Sequence, residues 1–195
     1  MVPRNSRFDL ARGYDERVEN LSYRFNKKNY SLQEFSRNDR NFRMDSIDKA
    51  IIAILQRDSS TPVSEIADSV GLSATPCWRR IKKLEEEGVI TKRVALVDRH
   101  RLNLRLTAFI SVRTAHHSEA WLTKFAESVR RIPEIVELHR MSGDTDYLMK
   151  VVCPDMVRFD KVYKKLISVA EFSDVKSSFS MEDLKSTTEL PLDYI

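Results

Sequence analysis

Between residues 106 and 181 the apolar side chains keep switching rhythm, and that switching leaves few folds open. Residues 106–114 alternate, with Leu106, Ala108, Ile110 and Val112 on one face, the period of a half-buried strand. Trp121, Phe125, Val129 and Ile132 then recur at helical spacing until Pro133 closes the helix. Ile135–Met141 reads as a strand, Ser142-Gly143-Asp144-Thr145-Asp146 as a tight turn, and Tyr147–Val152 as a second strand. Pro154-Asp155 opens another helix with Met156, Phe159, Val162, Tyr163, Leu166 and Ile167 apolar, and Val175–Met181 alternates as the last strand. The order β-α-β-β-α-β is the ferredoxin-like unit, which makes the fold class α+β.

The segment before it follows the helical period alone. Ile47, Ile51, Ile54 and Leu55 lie on one face, with Asp45 or Ser46 placed to cap the start. Asp58-Ser59-Ser60-Thr61-Pro62 is a break. A short second helix carries Val63, Ile66, Ala67 and Val70 on one face, and Gly71 ends it in the left-handed turn. Ser73 or Thr75 caps a third helix that runs to about Glu87, with Pro76 tolerated in its first turn and Gly88 as the stop. Val89-Ile90 and the strand-like Val94-Ala95-Leu96-Val97 are candidates for a wing or linker strand. Three helices with a glycine turn between the second and third form a helix-turn-helix, extended by that strand to a winged helix-turn-helix over residues 44–98. Residues 99–105, polar and basic, are the expected linker, and 106–195 the second domain.

The third helix divides into faces. Cys77, Ile81 and Leu84 form an apolar stripe, so at 100° per residue Thr75, Arg79 and Lys82 point away from it, with Trp78 and Lys83 to the sides. Arginine bonds guanine edges bidentately, threonine touches a thymine methyl or a phosphate, and lysine neutralises phosphate. Ser73, Thr75, Pro76, Trp78, Arg79, Lys82 and Lys83 are therefore the candidate DNA-binding residues. The helix also runs against its own dipole, with Arg79, Arg80, Lys82 and Lys83 forward and Glu85, Glu86 and Glu87 at the rear. A solvated amphipathic helix, held by Lys82–Glu86 and Lys83–Glu87 pairs, competes with the DNA reading on this helix alone. The glycine turn, the cap, the proline and the wing candidate decide for DNA.

Charge is consistent with a local basic face rather than a basic protein. Residues 1–43 hold ten Lys/Arg against six Asp/Glu, which accounts for the whole net charge of +4. That segment keeps no helical or strand period, and is expected to be a disordered arm, or the product of a misplaced start codon with Met44 the first residue. No apolar run approaches the roughly 18 residues of a membrane helix, no secretory h-region is present, and two cysteines suit a reducing cytoplasm.

These residues resemble a known family. The strings Ile47-Asp48, Glu65-Ile66-Ala67, Val70-Gly71-Leu72-Ser73, Thr75 through Glu85 and Gly88-Val89-Ile90 are similar to the Lrp/AsnC (leucine-responsive regulatory protein / asparagine operon regulator) family, and Ser142 through Lys150 extends the similarity. The resemblance covers residues 44–195. It implies a winged helix-turn-helix joined by a strand-containing linker to an amino-acid-binding ferredoxin-like domain, dimers that assemble into octamers, and transcription modulated by an amino acid. Cys77-Trp78, His116-His117-Ser118 and Tyr147-Leu148-Met149 are most similar to a subgroup that includes cysteine-responsive regulators. Arg99, Asn103 and Arg105 depart from the proline and glycines common in the family linker, and Ala74 replaces a frequent proline.

A free amino acid presents an ammonium and a carboxylate. Asp144 or Asp146 can pair the first and turn N–H groups can hold the second, so Gly143, Asp144, Thr145 and Asp146 are candidate effector ligands. The resemblance places that site between subunits, with Met141 and Tyr147 shaping it. Such a turn is also an ordinary hairpin. No cofactor is expected besides the amino-acid effector. His100, His116, His117, His139 and the two cysteines lack metal-ligand spacing, and no nucleophile–base, dinucleotide or phosphate-loop motif marks an enzyme. Two rivals remain: a regulatory subunit of an amino-acid biosynthetic enzyme, and a nucleoid protein that binds DNA without sequence preference.

Overall fold

The structure, a computed structural model, describes residues 43–116 and 118–195. The expectation for the N-terminal arm, Arg43 apart, and the placement of His117 lie outside the described residues. Helix α1 spans Ser46–Arg57, α2 Val63–Ser69 and α3 Ala74–Glu86; then follow β1 Leu106–Arg113, α4 Glu119–Arg130, β2 Ile135–Arg140, β3 Tyr147–Cys153, α5 Met156–Val169 and β4 Asp174–Phe179.

Local chemistry sets the helix ends. Asp45 caps α1 by accepting from the N–H groups of Ile47 and Asp48, and Asp48 reaches back to the Asp45 N–H, closing a capping box. Gly71 takes φ +69° after α2, and the Leu72 N–H donates to the Ala67 carbonyl at 2.9 Å, the six-to-one bond of a Schellman ending. Ser118 and Asp155 cap α4 and α5 through their side chains. Ser73 stands at the N-cap of α3 but its hydroxyl makes no capping bond, which corrects the expected side-chain cap there.

Two apolar clusters follow. Ile51, Ile66, Cys77, Ile81 and Leu84 centre the three-helix unit, with Ile90 packed at its edge. The second cluster joins Ala108, Ile110, Val112, Met149 and Val151 of the sheet to Phe125, Val129, Val162 and Leu166 of α4 and α5. The sheet is antiparallel throughout in the order β2-β3-β1-β4, the ferredoxin-like arrangement. Both helices cover the face bearing Ile110 and Met149; the other face carries Phe109, Leu148, Lys150 and Val152.

Two expectations need correction. Val94–Val97 is not a strand: the segment pairs with nothing among the described residues, and Leu96 and Val97 are 73% and 69% exposed. A strand exists only with a neighbouring ladder, and this chain offers none there. Met156 and Ile167 lie on the exposed side of α5; of that stripe Phe159, Val162 and Leu166 are buried and Tyr163 packs partly buried against the same core.

Candidate DNA-reading face and effector turn

Helix α3 buries Cys77, Ile81 and Leu84 and turns Ser73, Thr75, Pro76, Trp78, Arg79, Lys82 and Lys83 outward as one exposed surface. The four cations of this helix are not equivalent. Arg80 is turned inward toward α1, where Nη1 bonds Asp45 Oδ2 at 2.8 Å and Asp48 Oδ1 at 2.7 Å. The hydrogen bond to Asp48 is the main reason the guanidinium holds its proton still more firmly than usual. Lys82 pairs with Glu85 at 2.7 Å, one residue short of the expected Glu86 partner, and Arg93 takes the other oxygen of Glu85 at 3.1 Å. The Lys82 bond holds the Glu85 carboxyl below its ordinary value. The Arg79 side chain makes no hydrogen bond or ion pair with any described residue. Trp78 is half exposed beside it.

In the second domain, the 142–146 turn is laced to the end of β1. Gly143 takes φ +105°, a conformation that an L side chain rarely adopts. The Met141 N–H donates to the Asp146 carbonyl at 2.8 Å and the Asp146 N–H to Val112 at 3.0 Å. Asp146 Oδ2 accepts from the Thr114 N–H at 2.8 Å, so one of its oxygens is committed to the fold. Asp144 stays exposed, with its carboxylate 3.3 Å from Arg113 and its carbonyl accepting from Arg113 Nε. Thr145 is partly buried and Met141 is exposed. Tyr147 stands apart from the other candidates. Its ring lies in the core, 5.2 Å from Phe125 and 5.9 Å from Trp121, and burial pushes its hydroxyl pKa up.

Arg113 was missed by the sequence reading. Only the pairing of Val112 with Tyr147 across β1 and β3 reveals that residue 113 adjoins the turn. Its guanidinium is a cation suited to a carboxylate beside the acidic Asp144. At the same end of the sheet a cleft of about 340 Å³ is lined by His116, Trp121, Lys124, Phe125 and the segment 167–171. Thr114 joins cleft and turn, taking a bond from the His116 N–H at 3.1 Å and giving one to the Glu171 carbonyl at 3.4 Å.

Residues 44–91 match a winged helix-turn-helix DNA-binding family, and 107–190 match the Lrp/AsnC ligand-binding domain. The chain belongs to the Lrp/AsnC family. It is 44% identical over 151 residues to the DNA-binding transcriptional activator DecR of Escherichia coli, an alignment covering 77% of this chain and 99% of the relative. The glutamate uptake regulatory protein of Zymomonas mobilis is 43% identical over 150 residues, covering 77% and 92%. A crystal structure of an AsnC family regulator from Agrobacterium tumefaciens superposes with a TM-score of 0.76 at 55% identity, covering 78% of this chain and 99% of that one. A regulator from Neisseria meningitidis in complex with L-Met superposes at 0.74 with 35% identity, over 78% and 99%. Lrp/AsnC proteins are DNA-binding transcriptional regulators with an amino-acid-binding domain, and this chain is a regulator of that kind, not an enzyme. No helix among the described residues is long and apolar enough to cross a membrane.

Proposed function

We propose that this Lrp/AsnC regulator reads its operator through the outer face of α3 and tunes that reading with a free amino acid bound at the 142–146 turn. The observation that carries the first half is the outward face of Ser73, Thr75, Pro76, Trp78, Arg79, Lys82 and Lys83, with Arg79 free of any ion pair among the described residues. Arg79 supplies base readout, Lys82 and Lys83 neutralise phosphate, and Trp78 flanks the groove. At the turn, Asp144 takes the α-ammonium and Arg113, with the turn N–H groups, the α-carboxylate. Met141, Gly143, Thr145 and Asp146 shape the pocket, and Tyr147 supports it from within the core. The regulator works in the cytoplasm, on the nucleoid, as a homodimer that builds octamers. Support for a second copy comes from the unpaired apolar stretch 94–97 and from the uncovered sheet face bearing Phe109 and Val136.

A gel shift with the chain's own upstream DNA tests this reading. A complex that resists random duplex and weakens with salt supports it, and a thermal-shift screen of the twenty amino acids then identifies the effector. Binding without sequence preference would instead indicate a nucleoid-packaging protein. No DNA binding at all, with ligand binding retained, would leave an enzyme's regulatory subunit.

A further inference from the structure

The segment after β4 leaves the sheet and crosses to the other half of the molecule. Near the sheet it is held by the Ser180 N–H, which donates to the Thr107 carbonyl at 2.9 Å. Asp183 adds an ion pair with Arg99 of the linker at 2.7 Å. Further on, Gln56 at the end of α1 clasps Leu190 from both sides. The Gln56 side-chain N–H donates to the Leu190 carbonyl at 3.2 Å, and the Leu190 N–H donates to Gln56 Oε1 at 2.7 Å. Arg57 meets Glu189 at 3.4 Å, and Leu192 packs against the core of the helix-turn-helix. None of these contacts uses the outer face of α3. The covalent route between the halves is very different: residues 91–98 are all exposed and contain no helix or strand. Arg93 is held by Glu85 and the Ser59 carbonyl, but residues 94–97 beyond it make no hydrogen bond with any described residue, and such a stretch limits distance more than it fixes orientation.

We infer that segment 183–192 is a second tether, and that Gln56, Arg57 and Leu192 are positioning residues that fix the angle of the DNA-binding domain and so the half-site spacing the regulator accepts. This rests on the reading above, in which a homodimer binds DNA. Two recognition helices held at fixed angle and separation fit half-sites only at matching helical phase, whereas helices released from the tail tolerate a wider range of spacings.

The test uses the full chain, the double variant Gln56→Ala/Leu192→Asp, and operators whose half-sites are moved apart by about five base pairs, half a helical turn. Neither substitution removes an α3 residue, so affinity for an isolated half-site should stay within about twofold of the parent, which also shows that the helix-turn-helix still folds. The parent should lose about tenfold in affinity on the shifted operator and the variant less than about threefold. Amide exchange across 189–192 should accelerate in the variant. The inference is overturned if the variant discriminates spacing as sharply as the parent once exchange shows its tail released. It is also overturned if those amides already exchange freely in the parent. A parent with no sequence preference at all would instead remove the regulator reading itself.

Discussion

Arg79 and Arg80 are neighbours in sequence with opposite predicted roles, and replacing each with alanine separates DNA reading from folding. Arg80→Ala removes two charge-assisted hydrogen bonds, at 2.8 and 2.7 Å, one of them to the buried Asp48. Bonds to charged groups each contribute about 1.5–3 kcal/mol when buried. Here the Arg80 side chain is 33% exposed and Asp45 about half exposed, so solvent screening reduces the sum to about 2 kcal/mol. For a small domain that is a fall of about 10 °C in the melting of the helix-turn-helix, read by calorimetry. Arg79→Ala touches no described partner and should leave stability within about 0.5 kcal/mol. It should instead cost about 1–3 kcal/mol of discrimination between operator and random duplex, measured by competition gel shifts. A stable Arg80→Ala that has lost base preference, paired with an Arg79→Ala that melts early, would show the faces of α3 to be assigned the wrong way round.

Phe125→Ala removes a buried ring packed on Trp121, Tyr147 and Phe172 and should destabilise the sensing domain by about 3–5 kcal/mol in denaturant unfolding, leaving the helix-turn-helix transition in place. Gly71→Ala meets no steric obstacle but must adopt φ +69°, so the helix-turn-helix should lose about 1–2 kcal/mol by the same measurement. Asp144→Ala should keep operator affinity and lose the effector response; undiminished ligand binding by calorimetry would contradict that role. The Asp48 N–H, then Arg80, holds the Asp45 carboxyl below its ordinary 3.8. Its stabilisation is therefore complete above that value and lost as pH falls through the lower folded one. The melting temperature of the helix-turn-helix should accordingly fall with pH below about 4, and Asp45→Asn, which still caps, should shallow that slope.

Where the sequence was legible, the reason is local. Periods of 2 and 3.6 name the elements, so the strand faces of β1 and the stripe of α3 follow from spacing alone, as do the endings at Gly71 and Gly88. Asn103 shows the same rule under another residue: it takes φ +59° in the 98–104 turn because asparagine tolerates the left-handed region. What was not legible depends on partners distant in sequence. The apolar run 94–97 supplies half a ladder at most, and nothing in spacing reports the missing half. β3 was legible as a strand, yet its nearly continuous apolar run names no face, and only the strand order and the position of α4 put Tyr147 on the covered side. Helical spacing set Arg79 apart from Arg80, but it could not report the partner of Arg80, Asp48, which lies 32 residues earlier on another helix.

Those distant partners also account for a charge order that looks unfavourable on α3 in isolation. A helix with cations forward and acids at the rear opposes its own dipole, yet part of that conflict is relieved by neighbours. Glu85 at the rear is held by Lys82 and by Arg93 from beyond the helix, and Arg80 near the front is held by the acidic cap of α1. Part of the remaining conflict falls on Arg79, a cation in the forward half whose side chain no described residue compensates. Folding alone gives no reason to keep a guanidinium there, and lysine or glutamine would serve the helix as well. A planar bidentate donor at that one position is explained if its partner is a base edge outside the protein. By that argument Arg79→Lys, conservative in charge, should cost nearly as much operator preference as Arg79→Ala, while Lys82→Arg should cost almost none.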